Sequence, residues 1–235
     1  MIAFIKTIIY VPLYNFLILI LGVSWVDAGI AAIILTLVVK IILFPLAKKA
    51  TMTQIAMKRH EAELTEIKQK YKDRQEQAVK VMEFYKIHNI NPFSSILTLL
   101  IQIPVIYSLY YIFFRSGLPA VDTNLLYSFI QVPENISMNF LGLLDVSKNS
   151  VLLAFLAAIS TFVQMHFSPG NSQTTPENSA NLSQVMMKQM KYTMPIIVFF
   201  ISWKISGVVA LYWFASNVFG IIQDAIIARS FRYTK

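Results

Sequence analysis

Four stretches of this chain are too long and too apolar to sit comfortably on a protein surface: Ala28 to Leu46, Phe93 to Phe114, Val151 to Phe167, and Tyr192 to Ala228. A bilayer core takes about 20 consecutive apolar residues as helix. The last stretch is longer than one helix needs, and Lys204-Ile205-Ser206-Gly207 inside it carries the polar residues and glycine of a tight turn, so it reads as two helices. Five spans result. The fold class is an all-α polytopic membrane protein.

The connections fix the direction of threading. Lys48, Lys49, Lys58, Arg59, Lys68, Lys70, Lys72, Arg74, Lys80 and Lys86 all lie between the first two spans. Ser116 to Ser150 holds only Lys148 against Asp122, Glu134 and Asp145. Short loops rich in Lys and Arg stay inside, which places the first connection in the cytoplasm and the second outside. The expected organisation is an interfacial N-terminal helix (1–26), span one (27–48), a cytoplasmic helical hairpin (49–91) and span two (92–115). An external loop (116–149), span three (150–167), a mobile cytoplasmic loop (168–190), span four (191–206), span five (207–228) and a short basic cytoplasmic tail (229–235) complete it. The segment Ile8 to Val26 contains Pro12, Asn15 and several aromatics; it lies on the membrane or forms a sixth span, without changing the rest.

Composition excludes several functions. Hydrophobic residues make up 56% of the chain, and the net charge of +8 comes from basic residues that flank apolar spans. Positive-inside orientation accounts for that charge without nucleic acid. There is no cysteine, hence no disulfide or thiolate nucleophile. No Ser-His, Asp-Asp or His-Glu-x-x-His constellation supports an intramembrane enzyme. His60, His88 and His166 are far apart in sequence and share no ligand spacing, so neither a metal site nor any cofactor is expected.

Lys40 stands inside span one, where a charge costs roughly 2.5 to 3.5 kcal/mol on insertion scales. It either serves a polar site or snorkels to the inner interface, since Pro45 is only about 7 to 8 Å further along the helix. The connection that follows reads as two amphipathic helices, with Ile55, Leu64, Ile67 and Tyr71 and then Val79, Met82, Phe84 and Tyr85 at roughly helical spacing around a break near Lys72-Asp73. Ser168 to Asn181 is rich in Ser, Pro, Asn and Gly and is expected to be mobile. Asp224, near the inner end of span five, is solvated or paired with a basic residue.

The order of these elements and several local strings resemble the YidC insertase family and its Oxa and Albino relatives, over about Asp27 to Ala228. The strings are IILTLVVKIILFPL in span one, KYKDRQEQAVKVMEFYKIHNINPF at the end of the basic connection, LLIQIPVIYSLYYIFF in span two, and MKYTMPIIVFF followed by SGVVALYWFASNVFGIIQ. The resemblance implies a five-helix core, a cytoplasmic hairpin and a polar groove in the inner leaflet, in a short form without a large external domain. Lys40 matches the family's groove-facing basic residue, which is arginine in most members. Thr36 shares its helix face, Gln102 matches a groove glutamine, and Trp213 and Ser216, with Tyr212 and Asn217 beside them, match positions along the substrate path. Each has an ordinary reading as well: Tyr212 and Trp213 as an aromatic belt, Gln102 and Asn217 as interhelical hydrogen-bonders.

The implied function is membrane-protein insertion without nucleotide hydrolysis, acting on nascent membrane proteins in the lipid bilayer of a prokaryotic plasma membrane, with the C-terminus cytoplasmic. Implied partners are the ribosome, through the 52–88 hairpin, and the Sec translocon. The competing reading is an ion-coupled membrane transporter or channel; a lone lysine, no mid-span carboxylate and no inverted repeat weigh against it. The apolar part of span four, Tyr192 to Trp203, would reach only about 18 Å as helix, which suggests local bilayer thinning.

Overall fold

A computed structural model describes residues 6–91, 107–115, 118–168 and 182–233. Gln102, most of the stretch read from sequence as span two, and residues 169–181 lie outside the described residues. What is described is mostly helical. A π-helical turn, Lys6–Tyr10, leads into α1 (Val11–Leu21), followed by α2 (Ala28–Ile42), α3 (Phe44–Arg59), α4 (Glu61–Lys70) and α5 (Arg74–Ile87). A two-stranded antiparallel ribbon, β1 (Asn139–Phe140) and β2 (Leu144–Asp145), precedes α6 (Val151–Phe167), α7 (Leu182–Ile205) and α8 (Gly207–Tyr233).

The stretch read as span one bends. Helices α2 and α3 meet at Leu43 with a 65° change of direction. Pro45 explains the break: it has no N–H to give the Ile41 carbonyl, and its ring crowds that carbonyl. Asp27 starts α2 as its N-cap, one carboxylate oxygen accepting from the Ile30 N–H at 2.8 Å. The other oxygen accepts from the Leu141 N–H at 2.8 Å, so the same buried side chain also fixes the ribbon turn.

Helix α8 is the centre of the assembly and packs against α2, α3, α6 and α7. Its segment Gly207–Ser230 is, among the described residues, the one unbroken helix long and apolar enough to cross a membrane; α2 and α3 meet the criterion only as a bent pair. Ser206 alone separates α7 from α8. There the Gly207 N–H donates to the Lys148 carbonyl at 2.8 Å and the Val208 N–H to the Val146 carbonyl at 2.9 Å, pinning the turn to the loop after β2.

Two expectations about the helices change. Helix α7 begins at Leu182, well inside the stretch read as a mobile loop, because residues 182–194 contain neither proline nor glycine to stop it. Its 24 residues span about 36 Å, so this helix is not short, although its apolar portion is. Helix α1 does more than rest on a surface. Tyr14, Leu17 and Ile18 are fully buried in a cluster with Ala28, Ala31, Leu35, Ile112 and Val208. Its polar groups hold the loop before the ribbon: the Tyr14 hydroxyl accepts from the Asp122 N–H at 2.7 Å, and Asn15 both donates to the Leu125 carbonyl at 2.8 Å and accepts from the Tyr127 N–H at 2.7 Å.

Helices α4 and α5 run against each other around Leu64, Phe84 and Ile90. Asp73 caps α5, accepting from the Gln75 N–H at 2.7 Å, and the Gln77 amide donates to the Lys68 and Tyr71 carbonyls across the turn. An additional break at His60 separates α3 from α4. This folding brings His60 and His88, far apart in sequence, to ring centroids 3.8 Å apart beside Glu63. Their proximity comes from the pairing of two helices, which sequence spacing does not record.

Candidate functional site

Lys40 lies in the last turn of α2, two residues before that helix ends. It is half-buried and senses the charge of Asp224 on α8. The Gln223 amide donates to the Lys40 carbonyl at 3.5 Å, a long contact that joins the two helices at the same level. One turn earlier on α2, Thr36 is buried, its hydroxyl donating to the Ala32 carbonyl at 2.6 Å. That bond leaves the hydroxyl lone pairs free to accept.

On α8 the polar residues sort by face. At 100° per residue, Tyr212, Ser216, Gln223 and Ile227 share one stripe and all four are buried, while Asn217 and Asp224 flank it. Asn217 turns toward α6, where its amide donates to Thr161 Oγ1 at 2.7 Å and Ser160 Oγ at 3.0 Å. That amide nitrogen is committed to holding two helices together, the ordinary reading of a membrane asparagine. Trp213 is half-buried, whereas Tyr212 is almost entirely enclosed, which an interfacial belt position would not produce.

Asp224 is the residue the sequence left undecided. Its carboxylate accepts from the Thr51 hydroxyl of α3 at 2.7 Å and interacts electrostatically with Lys40. The bend at Leu43 thus places α3 where Thr51 reaches α8, and one polar cluster, Lys40, Thr51, Gln223 and Asp224, forms at the bend. Gln223 and Thr51 were not picked out from the sequence; their signal is weak, a single amide and a single hydroxyl in a long chain.

An apolar cavity of about 360 Å³ lies elsewhere, between α2, α6 and α8 with Phe140 of the ribbon at one end. Ile33, Leu37, Leu211, Phe214, Val218 and Ile222 line it, on the opposite side of α8 from Ser216. Among the described residues, none of the groove candidates singled out from sequence lines this cavity.

The chain matches a known set of proteins over nearly its whole length. The family model described as "60Kd inner membrane protein" matches residues 20–234. The chain belongs to the YidC family. The membrane protein insertase YidC of Fusobacterium nucleatum is 32% identical over 202 residues, covering 86% of each chain. That of Clostridium tetani is 30% identical over 225 residues, covering 95% of this chain and 86% of the relative. The YidC of Wolinella succinogenes is 34% identical over 208 residues, and there the match spans 88% of this chain but only 34% of the relative.

Proposed function

We propose that this protein inserts newly made membrane proteins into the bilayer through a polar groove in the inner leaflet, without nucleotide hydrolysis. The observation that carries the reading is Lys40: a half-buried cation at the end of α2, next to Thr36 and within electrostatic reach of α8. Moving a polar segment through hydrocarbon costs several kcal/mol per unpaired group. Groups that solvate it partway, namely Lys40, Thr36, Gln102 and Ser216, lower that barrier, with Tyr212 and Trp213 along the path. Burial of the substrate's own apolar helix supplies the driving force.

In this reading the chain has five spans: α2 with the start of α3, the segment 92–115, α6, the apolar part of α7, and α8 to about Ala228. The basic α4 and α5 hairpin then lies in the cytoplasm, as does the C-terminus, and the protein acts by binding and not as an enzyme. The hairpin is the surface for ribosome contact, and the Sec translocon is a second partner. Asn217 serves as a helix tie and not as part of the groove.

The test is insertion of a single-span substrate with an acidic external tail into vesicles containing the wild type, Lys40→Ala or Lys40→Arg. Loss with alanine and retention with arginine is the expected outcome. Equal insertion by all three overturns the groove role of Lys40.

A further inference from the structure

The base of the α4 and α5 pair holds a constellation that membrane insertion does not use. His60 is the residue between α3 and α4, Glu63 lies in the first turn of α4, and His88 caps the C-terminus of α5. His88 Nε2 is 3.1 Å from Glu63 Oε2, and His60 Nδ1 is 3.6 Å from the same oxygen. One potential ligand atom from each of the three residues falls within 4.8 Å of the others. His88 Nε2 is closed off from solvent and, although near the carboxylate, is not aligned for a hydrogen bond with it. Such an atom is costly unless something engages it.

We propose that His60, Glu63 and His88 form a site for a transition-metal dication of the zinc class. The distances fit. Ligands about 2.0 to 2.1 Å from a tetrahedral zinc stand about 3.3 to 3.4 Å from one another, a value bracketed by the two nitrogen to oxygen separations. The donor set fits as well: two imidazoles and one carboxylate suit zinc, cobalt, nickel or copper, whereas magnesium and calcium require oxygen-rich shells. Glu63 is half exposed, leaving water room to complete the coordination. The site also meets a structural need. Among the described residues, the core between α4 and α5 has Leu64, Phe84 and Ile90 as its buried members, and units with so few buried side chains commonly rely on a metal or other staple. A metal here would join the start of α4 to the end of α5, with the Phe84 ring 4.6 Å from His88 closing the apolar side.

The experiment uses the full chain in detergent, free of any polyhistidine tag and stripped with chelator, titrated with Co²⁺ and then Zn²⁺. One saturable equivalent, with the visible absorption of low-symmetry cobalt and its loss on adding zinc, is expected. His60→Asn, His88→Asn and Glu63→Gln should each weaken binding by at least about tenfold, the lower end of what disturbing a metal shell costs, and His166→Asn should leave it unchanged. In the unsubstituted protein, Zn²⁺ should shield His60 and His88 from diethyl pyrocarbonate while His166 still reacts, a readout independent of how the variants fold. Absence of a saturable equivalent, equal protection of all three histidines, or binding that survives loss of both His60 and His88 overturns the proposal.

Discussion

The hydroxyl of Thr51 donates to the carboxylate of Asp224 at 2.7 Å, joining the helix after the bend to the C-terminal half of α8. The same carboxylate interacts with Lys40, so a cation expected to contact substrate has a counter-charge of its own. Groups in one network couple by about 0.5 to 3 kcal/mol in double-mutant cycles. Insertion rates for Lys40→Ala, Asp224→Asn and the double variant should therefore be non-additive within that range. Thr51→Val, which removes a hydrogen bond to a charged group worth about 1.5 to 3 kcal/mol, should lower thermal stability in detergent. Strict additivity of the Lys40 and Asp224 effects would mean that the two charges work independently.

Asn217 and Ser216 are sequence neighbours with opposite assignments. Asn217 is bonded to Thr161 and Ser160 of α6, whereas Ser216 lies on the buried stripe with Tyr212 and Gln223. Interhelical hydrogen bonds in membranes are worth about 0.6 kcal/mol on average and up to about 1.7. Asn217→Ala should cost stability of that order, read as a shift in the unfolding midpoint, while insertion per folded molecule stays unchanged. Ser216→Ala should do the reverse. A loss of insertion in Asn217→Ala at unchanged stability would return that residue to the groove.

Much of this arrangement is legible in sequence where one residue carries its own physical consequence. Lys40 announces itself because a charge in an apolar run is costly, and Ser206-Gly207 marks the α7 to α8 turn because polar and flexible residues interrupt a hydrophobic stretch. Pro45 held the information for the 65° bend, but a proline near a span end does not reveal how far the chain turns. Asn217 could not be separated from Ser216, because their roles depend on which helix each one faces. The closeness of His60 and His88 is hidden in the sequence for a related reason: two helices folding together set their distance. Asp27, with one oxygen on its own helix and the other on Leu141, likewise depends on a loop more than a hundred residues away.

Gly29 sits where α2 meets the ribbon. A Cβ at this position would collide with the Cβ, Cγ and ring edge of Phe140. The base of an aromatic side chain cannot swing aside, so β1 itself would have to move. Overpacking of this kind costs about 1 to 3 kcal/mol. Gly29→Ala should lower the unfolding midpoint, and Gly29→Ala with Phe140→Ala should lose less than the sum of the two separate changes. By contrast, Gly220→Ala meets mainly the terminal amide of Gln164, a flexible group, and should be nearly neutral.

The loop after β2 offers a pH test. Asp145 is held down to about 2, first by the Ser147 hydroxyl and then by Lys148, whose ammonium lies 2.9 Å from the carboxylate. The folded value lies below the ordinary carboxylate value of about 3.9, so the ionised form is favoured by folding. Its stabilisation is fully present above about pH 4 and is lost as pH falls through that value toward 2. This loop also supplies the Val146 and Lys148 carbonyls that hold the α7 to α8 turn. Hydrogen exchange of the Gly207 and Val208 amides should accordingly quicken between pH 4 and 2, after correction for the intrinsic pH dependence of exchange. Ser147→Ala, which removes the leading cause of the shift, should raise the Asp145 midpoint toward the ordinary value and move the onset of that quickening up with it. An Asp145 midpoint near 3.9 in the unsubstituted protein, followed by carboxyl NMR, would show that neither Ser147 nor Lys148 holds the charge in place.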